Sequence, residues 1–141
     1  SGKLAISVAT TASHFATRLL AAFSHRYEGV TISLDITNRE SLRRQLDRNE
    51  PDLVIMGQPP EGIEVEAETF MENPLVMIAP ANHELVKKKN IPLATFENEH
   101  FVVRETGSGT RSAVQRAFDE HSVTRSEERR VGKECRSRWS T

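Results

Sequence analysis

Cysteine and tryptophan are almost missing from this 141-residue sequence: there is one of each, Cys135 and Trp139, both close to the C-terminal end. A single cysteine excludes an internal disulfide framework, and the first 124 residues offer no thiolate for zinc. That composition suits a reducing compartment, and a cytoplasmic protein is expected. No run of about 18 apolar residues occurs, so neither a transmembrane helix nor a membrane partner is expected. No secretory leader is read at the start, where Ser1-Gly2-Lys3 runs directly into a strand-like segment. His14, His25, His83, His100 and His121 never fall into H-x-x-x-H or H-E-x-x-H spacing, so no zinc motif is formed. Neither G-x-S-x-G nor a phosphate loop ending in Gly-Lys-Ser/Thr is found. An enzyme is not expected, nor a metal or cofactor.

Basic charge is scarce where the sequence looks globular and abundant where it does not. Residues 1–124 hold 13 Lys+Arg against 17 Asp+Glu, whereas residues 125–141 hold six against three. The acidic body carries no electrostatic footprint for nucleic acid. A basic block like the tail is the composition of a nucleic-acid arm or of a segment that cannot repay its ordering entropy.

The apolar pattern alternates between two periods. Leu4–Val8 is a short β-rich run. Thr10, Thr11 and Ser13 follow, all residue types that cap helices. Phe15, Leu19, Phe23 and Tyr27 recur every four residues, with Leu20 beside them, as one stripe of a helix closed near Gly29. Val30, Ile32, Leu34 and Ile36 alternate with polar residues as a second strand. Asn38 opens a helix carrying Leu42 and Leu46, and Leu53–Met56 is a third, buried strand. This β-α-β-α-β order predicts a parallel sheet with right-handed crossovers. Further along, strands are expected at Val65–Phe70 and Leu75–Ala79, with Glu64, Glu66 and Glu68 on a solvated face. A short helix is expected over Asn82–Lys89, with Lys87-Lys88-Lys89 complementing its dipole. A strand over Phe101–Arg104 then leads, through Glu105–Thr110, into a helix bearing Val114, Ala117, Phe118 and His121.

In open α/β sheets ligands bind at the carboxyl ends of the strands. Three segments meet that condition: Thr10–Ser13, Asn38–Arg39 and Gly57–Pro60. Hydroxyls, a carboxamide and helix-start N–H groups suit an anionic or polyhydroxy ligand rather than bond breaking. The competing reading is that Thr11, Ser13 and Asn38 only cap their helices. Gly107-Ser108-Gly109-Thr110 frees backbone N–H groups at a helix start and could hold a carboxylate or phosphate. The alternative there is a flexible capped loop.

Together LAISVATTASHFATRLLAAFSHRYEGVTISL, NRESLRRQL, PDLVIMGQPP, ENPLVMIAP and VVRETGSGTR resemble the effector-binding domain of LysR-type transcriptional regulators, and within them regulators of RuBisCO operons. The resemblance runs from Lys3 to about Val123. It implies an α/β, type 2 periplasmic-binding-protein-like fold with a ligand cleft between two subdomains. Residues 3–77 correspond to subdomain I, mostly present, and 78–124 to the beginning of a truncated subdomain II. Carried over by position, the effector-contacting residues are Thr11, Ser13, Asn38, Met56, Gly57, Gln58, Thr106, Gly107, Ser108, Gly109 and Thr110. The implied partners are a small effector of the phosphorylated-sugar, phosphoenolpyruvate or NADPH class, and promoter DNA through an N-terminal domain outside this sequence. The full-length parent is expected to be a homo-oligomer, dimer or tetramer. The alternative with the same fold is a solute-binding protein of a transporter. From Arg125 onward, RSEERRVGKECRSRWST resembles the in-frame translation of a sequencing adapter. Residues 125–141 are therefore expected to be non-native, to pack little and to add no helix to the body.

Overall fold

Residues 2–121 and 127–130 are described by the structure, a computed structural model. They group into two compact units. One is the chain up to Asn73 together with Gly107–Gly109, and the other is the remainder.

The first unit is built on a three-stranded parallel sheet. β1 (Gly2–Ala9) lies between β2 (Val30–Thr37) and β3 (Leu53–Ile55). Register runs from Gly2 opposite Val30 to Ala9 opposite Thr37, and Ile6 and Val8 face Leu53 and Ile55. β1 is linked to β2 through α1 (Ser13–Arg26), and β2 to β3 through α2 (Arg39–Asp47). The two crossovers, β1 to β2 and β2 to β3, run in opposite directions across the sheet, so right-handedness puts the helices on opposite faces. Ile6, Val8, Ile55 and Ala16 form the core on the α1 side, with Leu4, Ala12, Leu20 and Ile32 packed against it. Leu42 of α2 is fully buried. Both helices and the parallel order match the sequence reading.

The face of α1 differs from the expected one. Ala12, Ala16 and Leu20 meet the sheet, while Phe15, Leu19 and Tyr27 stay well exposed. Alanine lets the helix approach the close-packed Ile6 and Val8 side chains, which a phenylalanine stripe would hold off. Phe15 stacks on Phe70 with ring centroids 5.8 Å apart, and Phe23 meets Tyr27 at 4.7 Å.

The strands expected at Val65–Phe70 and Leu75–Ala79 are not formed; residues 64–80 are irregular. Val76 and Ile78 are 77% and 74% exposed. Alternation alone does not make a strand: its N–H and C=O groups need a ladder partner, and among the described residues none pairs with this run. The helix expected over Asn82–Lys89 shortens to a single 3₁₀ turn, Glu84–Lys87, capped by His83. The imidazole Nδ1 accepts the Leu85 N–H at 3.2 Å, which leaves the proton on Nε2, 3.3 Å from Glu99 Oε2.

In the second unit β4 (His100–Val103) precedes α3 (Gly109–Glu120). Phe118, 1% exposed, meets Phe101 edge-on at 5.5 Å, and Leu85 and Val103 are also buried. β5 (Glu127–Arg130) pairs in parallel with β4, His100 opposite Glu127 and Val103 opposite Arg130. The tail is expected to pack little and to add no helix, and its described part forms only this four-residue ladder. Its bonds are main-chain bonds, which an edge strand offers to any extended segment. Residues 125–126 and 131–141, which the same expectation covers, lie outside the described residues.

Candidate functional site

The loops that follow the three strands of the first unit are tied together by side chains. After β1 comes a 3₁₀ turn, Thr10–Ala12, and then α1. Thr10 Oγ1 donates to the Thr37 carbonyl at 3.1 Å, linking the ends of β1 and β2. Ala12 is the N-cap of α1 and has no side chain with which to cap. The capping alternative is thereby overturned for Thr11 and Ser13. Thr11 is exposed and Ser13 is the half-buried first residue of α1. At Asn38 the capping reading holds, since Asn38 Oδ1 accepts the Ser41 N–H at 3.0 Å.

Arg39 and Glu40 carry this loop outward. Arg39 Nη1 donates to the Gln58 carbonyl at 2.6 Å, which binds the loop after β2 to the one after β3. The Glu40 N–H donates to the Gly107 carbonyl at 3.1 Å. Gly107 has φ +93°, a conformation glycine adopts without steric cost, and a Cβ there would stand 2.8 Å from Glu40 Oε2. A Cβ on Gly109 would lie 3.4 Å from Arg39 Cδ, so the arginine stem runs along this turn. Ser108 between them is 2% exposed.

The first unit thus brings together Asn38, Gln58, Gly107 and Gly109, four of the residues expected to contact an effector. Met56 and Gly57 continue from β3, and Gly57 is open, with nothing near its Cβ position. Thr106 and Thr110 belong to the second unit. Sequence reasoning included Arg39 only within the Asn38–Arg39 segment, without a role of its own, and passed over Glu40. The available signal was their place at the first turn of α2, directly after a capping asparagine.

The arrangement holds a guanidinium, hydroxyls and a helix start whose dipole favours negative charge. It also carries the Glu40 carboxylate, beside the Gly107 turn. The Glu105 carboxylate, next to the turn in sequence, is engaged by Arg104 through two hydrogen bonds of 2.8 Å. The hydrogen bond to Glu105 raises the Arg104 pKa above its ordinary value. A cavity of about 150 Å³ lined by Ser7, Ser33, Asp35, Gln45 and Glu50, among others, shares none of the loop residues. No group of three or more His, Cys, Asp or Glu residues able to hold a metal occurs among the described residues. None of the helices among them is long and apolar enough to cross a membrane.

Comparison with known proteins supplies the context. The chain is 54% identical over 123 residues to the RuBisCO operon transcriptional regulator of Allochromatium vinosum, covering 87% of this chain and 41% of that protein. It is 43% identical over 122 residues to the HTH-type transcriptional activator CmpR of Synechocystis, covering 86% and 40%. The regulatory domain of Synechocystis CcmR, solved in complex with 2-PG, superposes with a TM-score of 0.88 at 42% identity, covering 95% of this chain and 64% of that one. The chain spans about two fifths of the curated relatives it matches. Residues 1–135 match the LysR substrate binding domain, and with its parallel β2-β1-β3 sheet and joined strand-end loops the chain belongs to that family.

Proposed function

We propose that this chain is the effector-sensing part of a LysR-type transcriptional regulator. The observation that carries the reading is the joining of the strand-end loops by Arg39 and Glu40, which brings Asn38, Gln58 and the Gly107–Gly109 turn to one helix start. The likeness to the CcmR regulatory domain, whose structure holds 2-PG, supports a small-molecule effector. By the same resemblance the effector class is a phosphorylated sugar, phosphoenolpyruvate or NADPH. Thr11, Ser13, Asn38, Met56, Gly57, Gln58 and Thr106–Thr110 are proposed to contact it. In the parent, effector binding shifts the population between two closure states of the regulator, and so changes how a dimer or tetramer holds promoter DNA. The DNA contacts are made by an N-terminal domain outside this sequence, and the parent acts in the cytoplasm.

The proposed partition follows the same reading, with residues 3–77 in subdomain I and 78–124 opening subdomain II. The tail from Arg125 is proposed to be foreign to the parent. Alignments of 122 and 123 residues with the curated relatives are close to the length of the body, whereas the family match runs on to residue 135. Sequencing the genomic DNA across codon 125 tests it: a coding sequence that continues with these residues rejects the foreign tail.

The functional reading is tested by titrating 2-PG, phosphoenolpyruvate and NADPH separately against the chain by calorimetry. Saturable binding of one of them, weakened in Thr11→Val, is expected. Equal and non-saturating heats for all three would defeat the anionic-effector reading.

A further inference from the structure

Of the α2 amides ahead of the first intrahelical bond, two have acceptors of different origin. An α-helix leaves its first N–H groups without intrahelical acceptors. The first intrahelical bond runs from Leu42 N–H to the Asn38 carbonyl, and Ser41 N–H goes to the Asn38 side chain. The Glu40 N–H instead goes to Gly107, far along the sequence. Chain segments on both sides of Gly107–Gly109 belong to the second unit, yet the turn itself belongs to the first.

We propose that Arg39 and Glu40 form a seat that fixes the Gly107–Gly109 turn in one conformation, which makes them positioning residues for the turn amides and the Ser108 hydroxyl. Glu40 contributes its N–H to the Gly107 carbonyl, and its side chain folds over the space that a Cβ on Gly107 would fill, with Glu40 Cβ 3.2 Å from that point. Asn38 Nδ2 closes the same space at 3.6 Å. The Arg39 stem lies along Gly109, and its head is anchored on the Gln58 carbonyl. One dipeptide thus sets the turn and the loop after β3 against the same helix start. A receptor whose donors are held before the ligand arrives loses less ordering entropy on binding. The geometry of the seat stands by itself; its consequence for an effector rests on the function proposed above.

Hydrogen exchange of the full chain tests the seat directly. The Arg39 amide, with no acceptor among the described residues, is the internal reference, and the Glu40 amide should exchange more slowly by a factor of about two to ten, the effect of one hydrogen bond. Gly107→Ala, strained at φ +93°, should bring Glu40 to the rate of Arg39 while Leu42 keeps its protection. A Glu40 amide as fast as Arg39 in the unaltered chain overturns the proposal, even if Gly107→Ala fails to fold. So does a Glu40 amide that Gly107→Ala leaves unchanged in a folded chain. Arg39→Met keeps the stem and removes the anchor on Gln58. It should weaken 2-PG binding about tenfold or more without moving the thermal midpoint, and an unchanged affinity also overturns the proposal. Failure of the unaltered chain to bind 2-PG counts against that ligand alone, and the exchange rates then decide the seat.

Discussion

Asn38 and Thr11 separate capping from ligand contact, because only one of them caps. Asn38 bonds the Ser41 N–H, so Asn38→Ala should cost about 1 kcal/mol of stability as an N-cap loss. An early melt with an unchanged effector response would make the cap its whole role. Thr11 is exposed in an uncapped turn, so Thr11→Val should leave the melting temperature within error. Its expected effect is on affinity, a loss of roughly 1.5–3 kcal/mol if it meets a charged group, or about tenfold to hundredfold in effector titration. Ser108 is a different case. At 2% exposure, Ser108→Ala removes a buried hydroxyl and should lower thermal stability by about 1–3 kcal/mol through the partner left behind.

At the scale of elements, α1 and α2 hold the sheet by different means. α2 inserts one fully buried leucine, and Leu42→Ala should cost about 2–5 kcal/mol in denaturant unfolding. α1 approaches through alanines, so it is sensitive to added volume. Ala16→Leu should destabilise by about 1–3 kcal/mol, because Ala16 is fully buried against Ile6 and Val8. Residues 64–80 have the composition of strands without a ladder. Val76→Lys together with Ile78→Lys should change the melting temperature little and should reduce light scattering of the concentrated chain. Scattering that stays the same would show that association of this chain does not pass through that segment.

On the scale of the whole molecule, the division of charge sets what the chain can do with DNA. Residues 1–124 are net acidic, and the six Lys+Arg of residues 125–141 carry the basic excess. Gel retention should therefore show no sequence-selective binding of a promoter fragment by residues 1–124. Weak retention by the complete chain should vanish at moderate salt, as phosphate contacts do. Salt-resistant, selective retention by residues 1–124 would place a DNA-reading surface in the body and contradict the proposed function.

Local information was enough for the parallel sheet and its two crossover helices, because a period of two and a period of about four are written into adjacent residues. It also singled out the strand-end loops, since Thr11, Asn38 and the glycines at 107 and 109 are turn and cap types at element boundaries, and of these the fold brings Asn38 and the two glycines together. It failed at 65–79, where apolar alternation called for strands but a strand exists only if another backbone accepts its hydrogen bonds. It also chose the wrong face of α1, because hydrophobicity ranks Phe15 and Leu19 above Ala16, whereas the close approach of helix to sheet favours the smaller side chain. Arg39, Glu40 and Gly107 show most plainly what packing adds. Gly107 was legible as a turn residue, but its partner was not, and only the fold sets a helix-start amide 3.1 Å from a carbonyl contributed by a distant turn.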